Sequence, residues 1–104
     1  MRHIDPVIHQ PTRLRIMMLL SGVDSADFTF VTETLSLTKG NLSSHMNQLE
    51  KAGYIEVTKT FKGRIPNTSY SITQEGIEQL SAYWEAMDEI RRLNPPDEER
   101  NTFR

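Results

Sequence analysis

The stretch Thr38–Gly53 constrains the fold most, because it combines a helix start, a helix stop and two faces of different chemistry. Leu42, Met46 and Leu49 recur at helical spacing and predict a face that is buried in a core. The side chain of Thr38 can cap the first turn, and a left-handed Gly53 can end the last one. The other stripe consists of short, uncharged hydrogen-bonding side chains: Asn41, Ser44, His45 and Gln48. A solvated face usually carries more Lys and Glu, so this face is typical of a contact surface.

The segments before this helix predict further helices. Pro11 can open a helix over about 12–20, whose apolar stripe would include Leu14, Met17 and Met18. The alternation at Phe28–Phe30 predicts a very short strand, and Asp27 or Thr29 would then cap a helix over about 30–36, with Phe30 facing inward. A tight turn would join that helix to the next one, which is the arrangement of a helix-turn-helix. Before them all, Asp5-Pro6 predicts a short helix or an arm.

After Gly53 the apolar period changes from that of a helix to that of a strand. Alternation over 54–61 and again over 68–73 predicts a β-hairpin. Between the two strands, the turn-rich stretch 62–67 predicts a basic loop of about six residues. Thr73 can then cap a long helix over about 74–93, with a predicted stripe of Ile77, Leu80, Trp84 and Met87. We expect residues 95–104 to form a charged, flexible tail.

The charge of the chain is unevenly distributed. The whole chain carries a formal net charge of −2. Residues 39–70 nevertheless contain five basic side chains and only two acidic ones. A polyanion responds to the local surface, so the central third is the part that fits a phosphate backbone.

Several classes of protein are disfavoured by composition. There is no cysteine, so disulfides and thiolate metal sites are excluded. No apolar run approaches the ~18 residues of a membrane span, and the N-terminus lacks a signal-peptide core, so we expect a cytoplasmic protein without a membrane partner. The three histidines lack carboxylates at ligand spacing, and no catalytic set stands out. We therefore predict neither a metal, nor a cofactor, nor an enzyme.

Three motifs of this sequence resemble one family. The run Leu37–Ile55 is similar to the DNA-contacting helix of small MarR-like and ArsR-like regulators, Pro11–Ile16 to their first core helix, and Tyr70–Gly76 to their second wing strand. The resemblance covers roughly residues 6–92. It implies a mainly helical α+β fold: a winged helix-turn-helix over 1–94, with a two-stranded β-wing and a long C-terminal dimerisation helix. It also implies a homodimeric regulator, which we expect to be a repressor, that binds double-stranded DNA. A small-molecule effector is compatible with the family, but nothing in this sequence supports one.

Given that resemblance, the candidate DNA-binding residues lie on the 38–52 helix and in the wing. On the helix they are Thr38, Lys39, Gly40, Asn41, Ser43, Ser44, His45 and Gln48, and in the wing Lys59, Lys62 and Arg64. Asn and Gln can bond adenine with two hydrogen bonds, and basic wing residues can bind phosphates or enter the minor groove. The alternatives are a merely solvated helix face and a merely solubilising hairpin tip. Gly40 has two explanations, a close approach to DNA or relief of crowding in the first turn.

The candidate dimer interface combines the late part of the last helix with the N-terminal segment. Its residues are Ile4, Val7, Ile8, Tyr83, Trp84, Met87 and Ile90. The last helix would be ~30 Å long, more than a domain of this size needs to close its core. Alternatively, these residues complete the monomer core, or Tyr83 and Trp84 line a small-molecule site. The rival function for the whole chain is a winged helix that binds other proteins in a larger transcription or chromatin assembly.

Overall fold

The computed structural model describes residues 2–93, and the predicted tail over 95–104 lies outside that range. Four helices and three strands follow one another as α1 (Pro11–Ser21), β1 (Ala26–Asp27), α2 (Phe28–Leu35), α3 (Lys39–Lys51), β2 (Ile55–Lys62), β3 (Ile65–Ile72) and α4 (Gln74–Arg92). The strands form one antiparallel sheet in the order β1-β3-β2. This mainly helical α+β arrangement is the predicted winged helix, with β1 as a third strand beside the two-stranded wing.

Helices α2 and α3 form the predicted helix-turn-helix. Only three residues separate them, and the first, Ser36, adopts a left-handed φ of 54° that lets the chain reverse. The predicted strand at Phe28–Phe30 is wrong, because these residues form the first turn of α2. Asp27 accepts a hydrogen bond from the Phe30 amide at 2.8 Å, so the helix begins early and the strand lies just before it. Phe30 consequently faces outward.

Helix α3 packs as its pattern predicts. Leu42, Met46 and Leu49 are almost completely buried in the main core cluster. Gly53 has a φ of +82° just after the helix, which confirms the predicted left-handed stop. Since one side of α3 is held in the core, its polar side is held outward in a defined orientation.

The hairpin differs from the prediction at its tip. Lys62 pairs directly with Ile65, so the loop contains only Gly63 and Arg64 rather than six residues. Gly63 has a φ of +64°, and glycine at the first central position suits a type II′ turn. Pro66 lies within β3, where it pairs with Phe61 on one side; β1 pairs further along at Ser69 and Tyr70, so the missing amide of Pro66 breaks no ladder there.

The N-terminal predictions also need correction. Of the two alternatives for the N-terminal segment, the helix is wrong and the chain there is an arm with a turn at 6–8. In this turn the Asp5 carboxylate accepts from the Val7 amide at 2.9 Å. Its other oxygen accepts from the Tyr54 hydroxyl, which ties this segment to the end of α3. In α1 the fully buried side chains are Ile16, Met17 and Leu20, whereas Met18 is 49% exposed. Helix α1 has more apolar residues than its neighbours can cover.

Helix α4 begins as predicted, since Thr73 accepts a hydrogen bond from the Gly76 amide at 3.0 Å. Its buried stripe is rotated relative to the predicted one. The stripe runs through Gly76, Leu80, Tyr83 and Ala86, while Ile77 and Trp84 stay substantially exposed. Gly76 is required for this packing, because a Cβ there would lie 2.2 Å from the Tyr54 carbonyl oxygen.

We therefore expect Gly76→Ala to lower the free energy of unfolding by at least ~2 kcal/mol, because α4 and the segment before β2 must separate to admit a methyl group. Gly40→Ala is the matched control, since a Cβ at Gly40 meets nothing within 4 Å. This control should raise the free energy of unfolding by about 0.5 kcal/mol through better helix propensity. Urea titrations followed by circular dichroism measure both effects. Equal unfolding midpoints for Gly76→Ala and the parent would contradict the packing role.

Candidate nucleic-acid interface

The polar face of α3 points away from the core. The structure leaves most of the predicted contact residues of this helix exposed and one half-buried. The exposed residues are Thr38, Lys39, Gly40, Asn41, Ser43, Ser44 and Gln48, and the half-buried one is His45. This face therefore offers hydrogen-bond donors and acceptors side by side on a rigid helix.

The first turn of α3 has the features of an anion-binding site. Thr38 accepts from the Asn41 amide at 3.1 Å, which confirms it as the cap. The amides of Lys39 and Gly40 precede the first intrahelical bond and remain available. No acidic side chain lies in this turn, so the positive end of the helix dipole is not neutralised there.

Gly40 has open space around it. Because a Cβ at this position would meet nothing within 4 Å, the residue relieves no crowding within the protein. Crowding in the first turn of α3 therefore does not explain why this residue is a glycine. What remains is an exposed glycine at the start of an exposed helix, where the backbone can approach another molecule closely.

His45 contacts Arg13, and the sequence pattern does not predict this contact. Arg13 lies on α1, and its guanidinium is 3.2 Å from Nδ1 of His45 while its Nε donates to the Val7 carbonyl at 2.6 Å. A guanidinium only donates, so Nδ1 must accept and the ring proton lies on Nε2. Burial, and then the charge of Arg13, lower the pKa of His45 and favour this neutral form. His45 thus presents one oriented Nε2–H donor.

A cleft of about 490 Å³ separates α3 from the sheet. Ser43, Asn47 and Glu50 line its helix side, and Lys59 and Thr68 line its strand side. Asn47 and Thr68 are additions to the predicted set. Asn47 follows Ser43 at i+4, so helical spacing alone could have identified it, whereas Thr68 faces the cleft only because of the strand register. Burial, and then the negative charge that Glu50 places in the cleft, raise the pKa of Tyr70.

The three basic wing residues occupy different places. Lys59 lines the cleft. Lys62 lies on the opposite face of the hairpin, where its Nζ is 3.8 Å from the Asp27 carboxylate. Both of those side chains are accessible to water, so the ion pair is weak and does not neutralise the tip. Arg64 lies in the two-residue turn and is exposed.

A second candidate surface lies on α4 and the N-terminal segment. Of the seven residues predicted for a dimer interface, Ile8 and Tyr83 are buried in the core of the subunit itself. The hydroxyl of Tyr83 is 2.8 Å from His9, and its ring packs edge-on against Trp84. Trp84 is 41% exposed, and Ile4, Val7, Met87 and Ile90 are partly buried. Arg2 bridges to Glu85 and Glu89 beside them.

Residues 2–93 lack the features of two other kinds of site. This part of the chain gathers no three His, Asp or Glu side chains in the way that a metal ion would need. Within the same range, none of the helices has the length and hydropathy to cross a bilayer. The described chemistry is thus concentrated on α3, the cleft and the wing.

Comparison with known proteins agrees with this geometry. A family described as a winged helix DNA-binding domain matches residues 12–91. An uncharacterised protein of Methanocaldococcus jannaschii is 37% identical over 71 residues, which cover 67% of this chain and 76% of the relative. The structure of a transcriptional regulator homologue from Pyrococcus horikoshii OT3 superposes with a TM-score of 0.77 at 31% identity, over 83% of this chain and 85% of that one.

A further solved structure is a possible transcriptional regulator for arsenical resistance. It superposes with a TM-score of 0.61 at 28% identity, over 84% of this chain and 88% of that one. The match of the family model to most of the chain, together with these likenesses, confirms the resemblance that the sequence motifs suggested. This chain belongs to the winged helix DNA-binding domain family and is a winged-helix transcriptional regulator.

Proposed function

We propose that this protein is a homodimeric repressor that recognises a specific sequence in double-stranded DNA. One observation carries the proposal: the neutral hydrogen-bonding face of α3 is exposed, oriented by the core, and bordered by positive charge. Lys39 and Lys51 stand at its two ends, and Lys59 and Arg64 stand on the wing. Charge thus lies where phosphates would run, and the uncharged groups lie where base edges would be.

In this proposal each subunit inserts α3 into a major groove and rests the wing on the adjacent backbone or minor groove. Asn41 and Gln48 would bond base edges, and the Nε2–H of His45 would donate to an acceptor on a base or a phosphate. The phosphate strand between the two grooves would run along the cleft past Lys59. A dimer would contact half-sites ~34–36 Å apart or a multiple of that distance. Repression would follow if the bound dimer occludes a promoter.

Base readout and backbone binding should separate in mutants of the two elements. Asn41→Ala or Gln48→Ala should cost ~1–3 kcal/mol on the preferred site and relax the sequence preference at one position. Arg64→Ala should weaken all sequences about equally and reduce the slope of log affinity against log salt by ~1. Fluorescence anisotropy on duplexes selected from a random pool, at several salt concentrations, measures both. The site assignment fails if neither kind of variant changes DNA affinity.

Gly40→Ala tests the close approach of the α3 N-terminus to DNA. The methyl group has room within the protein, so the fold should be as stable as the parent or more so. Against a phosphate or a base edge the same methyl group would clash, and DNA affinity should fall by roughly tenfold, or ~1.4 kcal/mol. Anisotropy and urea titration on the same sample measure the two properties. Undiminished affinity would mean that the backbone at Gly40 stays clear of the DNA.

The dimer proposal depends on the exposed apolar part of α4 and its neighbours. With Ile8 and Tyr83 in the subunit core, Trp84 is the one exposed residue of the predicted set, and Ile4, Val7, Met87 and Ile90 are partly buried. Trp84→Glu should convert a dimer to a monomer in sedimentation velocity at micromolar concentration, because a carboxylate would have to be buried in the interface. Met18→Glu introduces the same charge at a similarly exposed site on α1 and should leave the dimer intact. A monomeric parent protein would refute this interface.

A protein-binding winged helix is the second candidate. The acidic surface of α4, with Glu75, Glu78, Glu85, Asp88 and Glu89, is the observation that favours it. Titration of the protein with random duplex at two salt concentrations distinguishes the candidates, because basic contacts release counterions and make binding strongly dependent on salt. Negligible binding at low salt would favour the protein partner.

A further inference from the structure

The tip of the wing carries the two most exposed large apolar side chains of the described residues. Phe61 is 72% exposed and Ile65 is 71% exposed. They flank the Gly63–Arg64 turn at the far end of a hairpin whose base lies in the core. Single exposed apolar residues are common on surfaces, but these two lie on opposite faces of the same hairpin end, on either side of an arginine in the chain. The fold does not require them there, since neither belongs to the core cluster or packs against it.

The strand register determines which way each of them points. Val57 pairs with Tyr70 and Lys59 pairs with Thr68, and all four residues line the cleft beside α3. Two positions beyond Lys59, Phe61 pairs with Pro66. Because side chains alternate between the two faces of a strand, this pair continues the same face toward the tip. Phe61 therefore lies on the side of the hairpin that faces the DNA in the proposed function. Ile65 lies with Lys62 on the opposite face.

The charge around the tip indicates which kind of molecule would bind it. From Val57 to Thr73 the chain contains three basic residues and no acidic one, and the Asp27 carboxylate, 3.8 Å from Lys62, offsets only part of that charge. An apolar tip in a positive field suits a polyanion with apolar surfaces inside it. Duplex DNA offers that combination in its minor groove, where phosphates border deoxyribose and base edges.

The size of the tip has a mechanical consequence. The minor groove of B-DNA is ~6 Å wide. The two strands of a hairpin are ~4.8 Å apart and carry side chains on both faces, so the tip is thicker than the groove when Phe61 and Ile65 enter it. Proteins that place Phe, Ile or Pro in the minor groove widen it and kink the duplex. The side chains for such a wedge are on both faces of this tip.

We propose that Phe61, Ile65 and Pro66 form an apolar wedge that opens the minor groove and bends the DNA, with Arg64 leading the tip. This inference rests on the proposed function and deepens it, because it makes the wing a source of specificity. Base-pair steps that deform easily, such as TA, would be preferred beneath the tip even without a hydrogen bond to their bases. Phe61 and Ile65 become specificity-determining residues, while the polar face of α3 reads the major groove.

The experiment compares the parent chain with Phe61→Ala, Ile65→Ala and the double variant on a duplex selected from a random pool by the parent. Energy transfer between dyes at the duplex ends measures bending, and anisotropy measures affinity. The double variant should leave the duplex straight and bind roughly tenfold more weakly, the order of effect of losing an aromatic contact with a base. The slope of log affinity against log salt concentration should be the same for the double variant as for the parent, because no charge is removed. Phe61→Leu should retain the bend, and Val23→Ala, which shortens an exposed apolar side chain outside the wing, should change nothing.

Each other outcome overturns the wedge in a distinguishable way. If the double variant bends the duplex as the parent does, or if the parent itself leaves it straight, the wedge is wrong while DNA binding stands. If the parent binds no duplex at low salt, the proposed function fails as well. If the double variant keeps the bend but no longer binds vesicles of phosphatidylcholine and phosphatidylserine that the parent binds, the tip serves an anionic membrane surface.

Discussion

The burial of Leu42, Met46 and Leu49 is the interaction on which the rest of the structure depends. These three side chains dock α3 into the core, so the rotation of the helix about its axis is determined by packing. The direction in which the polar face points is therefore fixed by the packing of the apolar face. Rigid presentation of this kind lowers the entropic cost of contacting a second molecule. A helix that formed alone in water could offer the same side chains but not the same orientation.

The candidate interface is also supported by contacts outside the helix-turn-helix. Gly53 ends α3, and Tyr54 then hydrogen-bonds the Asp5 side chain and, through its carbonyl, accepts from the Thr73 amide. Burial and the neighbouring Asp5 raise the pKa of Tyr54, so its hydroxyl stays protonated and able to donate. The end of α3, the start of the hairpin and the start of α4 meet here. These polar contacts therefore add to the core packing that sets the relative positions of α3 and the wing.

Much of the candidate site could be predicted from sequence because its signals are local. The Thr38 cap, the stop at Gly53 and the buried stripe depend on residues within one or two turns of each other, and all are confirmed. The strand predicted at Phe28–Phe30 failed for a related reason: apolar alternation over three residues also fits the first turn of a helix, and the Asp27 cap decided between them. The longer loop predicted at the wing is wrong because Pro66, a common turn residue, lies within β3, where an unpaired strand edge tolerates it.

The sequence by itself determined the order of elements, the two faces of α3 and the basic character of the central third, because these depend on caps, periodicity and composition. Only the tertiary structure decided which side chains compete for the same space. It paired Arg13 with His45, placed Tyr83 in the core while leaving Trp84 exposed, and put Phe61 on the cleft side of the wing. Each of these depends on contacts between residues far apart in the chain or on strand register. Local spacing carries no information about such contacts, which packing alone determines.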